Sequence, residues 1–175
     1  MIRPVLFDCT TVPAGPKVIR GEFWTASQRQ MHTLHYVVSY RAAFKPELPD
    51  FFIRRLSREN DVVLDPFGGR ATTLLQANLL GRRAVHLDVN PISVRIAEAK
   101  SHPVEADAMA SILAKLDLSR KREFSPVEED LLTFYSPATL TELINLKKAL
   151  ADHPDDPTLR FIELIALSRL HGHSD

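Results

Sequence analysis

The chain has 175 residues, 45% of them hydrophobic and 25% charged, an ordinary globular composition that excludes a fully disordered or collagen-like chain and allows about one domain. Its 22 Lys and Arg balance 22 Asp and Glu, so any surface that grips nucleic acid is local or lies elsewhere. No apolar run approaches the ~20 residues of a membrane span, the N-terminus lacks the pattern of a secretory signal, and Cys9 is the single cysteine, so the chain reads as a disulfide-free protein of a reducing cytoplasm.

Residues 1–22 are broken by Pro4, Pro13, Gly15 and Pro16. They read as an extended arm with one short strand near Val5–Phe7. Phe23, Trp24, Tyr36, Tyr40 and Phe44 then cluster beside His32 and His35, in a segment that either packs or faces a ligand. Pro46, Glu47 and Asp50 start a helix, because proline suits the first turn and acids suit the positive end of the helix dipole. Leu48, Phe52, Ile53 and Leu56 recur at helical spacing, and Arg54, Arg55 and Arg58 close the helix.

Asp61–Asp65 is a short β-branched run that predicts a buried parallel strand. Pro66 to Arg70 form the turn, Thr72 to Leu80 a helix, and Gly81 its C-terminal cap. Ala84–Asp88 predicts a second strand, ended by Asn90-Pro91, and a further helix runs from Ile92 or Ser93 to about His102-Pro103. Strand, glycine turn, helix, strand and helix make a βαβ unit, the beginning of a doubly wound sheet. Residues 104–120, 126–152 and 157–171 carry helical periodicity. Ser136 caps the helix bearing Leu140, Leu143, Leu146 and Leu150, and Thr158 caps the last one. This leucine stripe predicts a helical-hairpin core. The fold class is therefore α/β: a partial Rossmann-like βαβ unit, followed by a helical region. Residues 1–103 form the N-terminal arm and ligand-binding βαβ unit, and residues 104–175 the helical region, either part of the same domain or an insertion in it. Two parallel strands fall short of the five or more in a complete doubly wound domain.

The chemistry concentrates between Asp65 and Asp88. An acid at the end of a strand accepts hydrogen bonds from a cationic or amino-bearing ligand. Gly68 and Gly69 let the backbone approach closely, and the following helix N-terminus offers N–H groups. Asp88 lies 23 residues after Asp65, about the spacing at which an acid holds the two hydroxyls of a ribose. Two carboxylates beside the turn repel a pyrophosphate, so this is no dinucleotide site. They suit a positive ligand that carries a ribose, and S-adenosylmethionine meets both conditions. His171 and His173, with His102 and His153 elsewhere, lack the spacing of a metal site, and no metal is expected.

Asp65-Pro66-Phe67-Gly68-Gly69-Arg70-Ala71-Thr72-Thr73 resembles the D-P-F-x-G-x-G-T-T segment of the DNA amino-methyltransferases, which make N4-methylcytosine or N6-methyladenine. His35-Tyr36, Tyr40 and Phe44-Lys45-Pro46-Glu47-Leu48-Pro49 are similar to the upstream segment that lines the methionine end of the cofactor. Asp88-Val89-Asn90-Pro91 is similar to the ribose-binding acid and its sequel. The resemblance implies S-adenosylmethionine as cofactor, held by Tyr40, Phe44, Pro46, Asp65, Pro66, Phe67, Gly68, Gly69, Thr72, Thr73, Asp88 and Asn90. It also implies DNA methylation, as in restriction-modification, with DNA as partner through parts outside this chain. Two departures stand out. Ala71 replaces a glycine, which matters if its φ is positive. No Pro-Pro dipeptide occurs, so the catalytic tetrapeptide (Asp, Asn or Ser, then Pro-Pro and an aromatic) is absent and no catalytic residue is assigned. The chain accordingly reads as truncated before that segment. The alternatives are a non-catalytic or split-subunit binding module that needs a partner chain or self-associates, and a methyltransferase acting on RNA or a small molecule.

Overall fold

A computed structural model describes residues 31–39 and 43–170. The expected arm and its strand, Phe23, Trp24, Tyr40, His171 and His173 lie outside the described residues. The described residues form two compact units, one of 31–36 and 43–93, the other of 37–39 and 94–170.

The first unit opens with a 3-10 turn at Thr33–His35, followed by helix α1 (Glu47–Leu56). Pro46 is the N-cap residue of α1, Glu47 and Asp50 sit in the first turn, and Arg54 and Arg55 in the last. Both ends thus complement the helix dipole. Arg58 lies past the helix, where its backbone N–H bonds the Asp61 carboxylate at 2.8 Å. Next come strand β1 (Val62–Asp65), helix α2 (Thr72–Leu79) and strand β2 (Arg83–His86). The strands pair in parallel, Val62 opposite Arg83 and Asp65 opposite His86, so the expected βαβ unit is present. Gly81, at φ 74°, ends α2 as its composition predicts, with the Gly81 N–H bonded to the Asn78 carbonyl.

The strands are shorter than expected and are not buried on both faces. Val63, Asp65, Ala84 and His86 are half-buried, whereas Val62 is 54% exposed, Leu64 57% and Val85 43%. The reason is the two-residue period of a strand. Helix α2 packs on both strands and α1 packs on α2, which serves one face of the sheet. Leu74, Leu75 and Ala77 of α2 and Ile53 of α1 are buried.

The division between the units falls inside helix α3 (Pro91–Ser101), after Ser93. The second unit continues with α4 (Ala106–Leu113), α5 (Pro126–Glu129), α6 (Pro137–Asp152) and α7 (Pro157–Leu167). Residues 126–152 are not one helix: α5 passes into a 3-10 turn at Asp130–Thr133 before α6 begins. Proline disfavours helical backbone in the residue before it. Ser136, just before Pro137, is extended, and its Oγ accepts the Thr139 N–H as an N-cap. Helix α7 is capped by Asp156 rather than Thr158: its carboxylate accepts the N–H groups of Thr158 and Leu159. The residue at Thr158 is itself within the first turn. The leucine stripe forms the expected core, with Leu146, Leu159 and Ile162 buried against Met109, Ile112, Leu116 and Leu150. Arg160 pairs with Glu98 at 3.4 Å and with Glu163 at 3.6 Å. Among the described residues, no helix is long and apolar enough to cross a membrane, and no group of three His, Cys, Asp or Glu is placed to hold a metal ion.

Candidate functional site

The glycine turn is fastened to the end of β2 from several sides. Asp65 closes β1, and its Oδ1 accepts the Phe67 N–H at 3.1 Å. The Gly68 N–H donates to the Leu87 carbonyl at 3.0 Å. A Cβ at Gly68 would lie 2.1 Å from the His86 ring, so no other residue fits there without moving that imidazole. Gly69 has φ 52°, in the left-handed region that favours glycine. Its N–H donates to Asp88 Oδ2 at 2.8 Å.

Asp88 joins three segments. Its other oxygen, Oδ1, accepts the Asn90 N–H at 2.8 Å. The amides of Asn90 and Gly69 hold its carboxyl below the usual carboxylate range, because they stabilise the ionised form. Asn90 starts α3, its Oδ1 accepting the Ile92 N–H at 3.0 Å. Ser93 Oγ donates to the Gly69 carbonyl. That commits the hydroxyl proton, so His86 Nε2 is the donor in its 2.9 Å bond to Ser93 Oγ. Sheet end, glycine turn and the start of α3 thus share one hydrogen-bonded frame.

Ala71 has φ 62°, ψ 38° and is fully buried at the N-cap of α2. The left-handed conformation costs an L-residue roughly 1–2 kcal/mol, so the departure from glycine carries backbone strain here. Thr72 is buried at the first position of α2, Thr73 is half-buried, and Pro66 and Phe67 are exposed. Pro46 is buried at the start of α1, while Phe44 is 38% exposed and reaches the turn through its carbonyl, which accepts from Arg70 Nη2 at 3.3 Å.

A polar chain ties the upstream segment to the same unit. Asp50 accepts from Arg54 Nε at 3.0 Å and from Gln76 Nε2 at 2.7 Å. A carboxylate only accepts, which fixes the Gln76 amide and turns its Oε1 toward the buried His35 Nε2, 3.0 Å away. The 3-10 turn, α1 and α2 are therefore linked through one side chain. Sequence reasoning missed Arg70, Gln76, His86 and Ser93 as members of this frame. Gln76 carried a signal, a lone amide among Leu74, Leu75 and Ala77 on a buried face. His86 and Ser93 carried none, since their roles depend on a close approach in space.

Two parallel strands, one ending in an acid and the other followed by one, with a glycine turn fastened between them, define an α/β protein, a class in which ligands bind outside the carboxyl ends of the strands. Residues 14–99, just under half of the chain, match the DNA methylase family. The chain is 32% identical over 98 residues to a type II methyltransferase of Methanocaldococcus jannaschii, covering 56% of this chain and 18% of that one. It is 33% identical over 99 residues to a type II methyltransferase of Geobacillus stearothermophilus, covering 55% and 18%. A third, from Proteus hauseri, is 38% identical over 55 residues, covering 31% and 16%. These alignments thus take in less than a quarter of each of these relatives. No solved structure matches the chain at a significant level.

Proposed function

We propose that the chain is the S-adenosylmethionine-binding part of a DNA methyltransferase that modifies an exocyclic amino nitrogen of cytosine or adenine. The observation that carries this reading is the pair Asp65, which ends β1, and Asp88, two residues past the end of the parallel strand β2, on either side of a glycine turn whose amide Asp88 holds. The donor set fits the cofactor chemically. Each oxygen of Asp88 already accepts one backbone N–H, yet a carboxylate offers about four acceptor sites, so it can still take ribose hydroxyls. Asp65 supplies negative charge for the ammonium and sulfonium, with Phe67 and Gly69 beside it toward the methionine end. Bound there, the cofactor would supply an electrophilic methyl group for transfer to the amino nitrogen. The contribution of Asp65, Asp88 and the turn is to hold the donor in one orientation.

In this reading residues 1–103, up to just past the end of α3, hold the cofactor, residues 104–175 are a helical region, and the protein works on DNA in the cytoplasm. A second reading is a binding module that relies on a partner chain. It is favoured by one observation, the lack of any Pro-Pro dipeptide in the 175 residues. Calorimetry with S-adenosylhomocysteine on the full chain tests the binding common to both. We expect the wild type to bind and Asp88→Ala to bind about tenfold or more weakly, because hydrogen bonds to a charged acceptor are lost. Equal affinity in the two proteins overturns the ribose role of Asp88.

A further inference from the structure

Charge is balanced over the whole chain, yet the cations are not evenly spread. The segment between α4 and α5 contains the run Arg120-Lys121-Arg122, and α6 carries Lys147-Lys148. Two sets of contacts bring them together. Leu116 and Leu118 pack against the core of Leu146, Leu159 and Ile162, which seats the segment on the helices. Asn145 Nδ2 of α6 donates to the Leu118 carbonyl at 2.7 Å and to the Arg120 carbonyl at 2.9 Å. Lys148, three residues on, shares the face of α6 that carries Asn145, so it stands beside the start of the basic run. Lys147 reaches the other end. The Ser125 amide and hydroxyl hold the Glu128 carboxyl below the usual carboxylate range, and Arg122 and Lys147 act in the same sense. Glu128 takes up Arg122 in a 3.4 Å ion pair, and Asp117 accepts the Ser119 hydroxyl at 3.1 Å. Among the described residues, Arg120, Lys121, Lys147 and Lys148 form no ion pair, and all four are exposed. Like charges fixed on an anchored loop and one helix repel one another. A row of phosphates relieves that repulsion and releases counterions.

We propose that Arg120, Lys121, Lys147 and Lys148 form a surface that grips the phosphate backbone of duplex DNA without regard to sequence. The choice of DNA rests on the reading of the chain as part of a DNA methyltransferase. The surface itself belongs to the helical unit, beyond the residues 14–99 that match the DNA methylase family. Contacts of this kind position a duplex and leave base recognition to other groups.

The test is the fluorescence anisotropy of a labelled duplex of about 20 base pairs and mixed sequence, titrated with the full chain from about 50 to 200 mM salt. We expect binding whose log–log dependence on salt has a slope of about −3 to −4, as four neutralised phosphates require. Arg120→Gln/Lys121→Gln and Lys147→Gln/Lys148→Gln are each expected to make that slope shallower by about two. Arg58→Gln/Arg83→Gln removes the same charge from exposed residues of the first unit, and is expected to leave the affinity within about twofold. Unchanged slopes in both patch variants overturn the assignment. An equal loss in the control variant also overturns it, since net charge alone then explains the binding. So does tighter capture by vesicles of phosphatidylserine and phosphatidylcholine in equal parts than by the duplex, which makes the surface a membrane contact. Wild-type protein that binds S-adenosylhomocysteine and leaves the duplex free overturns this inference and spares the reading of the cofactor site. Protein that binds neither overturns both.

Discussion

Gly68 has the least freedom of any residue in the turn, because the space of its missing side chain is filled by the His86 ring. Overpacking of this kind costs about 1–3 kcal/mol. We expect Gly68→Ala to lose that much stability in chemical denaturation, and the double variant Gly68→Ala/His86→Ala to lose less than the sum of its parts. Additive losses contradict the contact. Asp88 makes a pH prediction. Its carboxyl is held low by the Asn90 and Gly69 amides, so its contribution to stability is full above the ordinary value of about 3.9 and is lost as pH falls through the lower folded value. Asp88→Asn is expected to flatten that part of the acid-unfolding curve. An unchanged curve contradicts the clamp. At this scale the residue types were legible, since two acids and two glycines around a turn announce a site. The sign of φ at Ala71 and the approach of His86 to Gly68 were not, because both depend on tertiary geometry.

Among the elements, the β1–α2–β2 unit and the cap at Gly81 follow from strand-like runs and a glycine after an apolar helix. The sequence pattern did not reveal that Val62, Leu64 and Val85 lie on an exposed face, since a short apolar run reads alike whether one face or both are covered. The break before α6 was hidden by continuous helical periodicity across residues 126–152, although Ser136-Pro137 supplies its physical cause. The clearest link between elements is Gln76, which joins α2 to Asp50 of α1 and to His35 of the upstream turn. Removing it deprives a buried imidazole N–H of its acceptor, at a cost of about 1–3 kcal/mol. We expect Gln76→Leu to lose stability in that range in thermal or chemical unfolding. A loss of only a few tenths of a kcal/mol would show that the link contributes little.

For the whole molecule, 22 Lys and Arg balance 22 Asp and Glu, so net charge carries no information about a partner. The likeness to the DNA methylase family, matched over residues 14–99, was legible because the upstream aromatic segment, the turn motif and the second acid follow one another in the sequence. The helical unit, 94–170, was legible as helices packed around a leucine-rich core, but its periodicity carries no chemistry from which to read a role. The central claim is that the cofactor sits at the glycine turn between Asp65 and Asp88. The most direct measurement is the amide spectrum of the isotope-labelled full chain as S-adenosylhomocysteine is added. The account predicts shifts at Gly68, Gly69 and Asn90, whose N–H groups bond Leu87 and Asp88 at the turn, with α4 to α7 unchanged. No shift at saturating ligand, or shifts confined to α4 to α7, would contradict it.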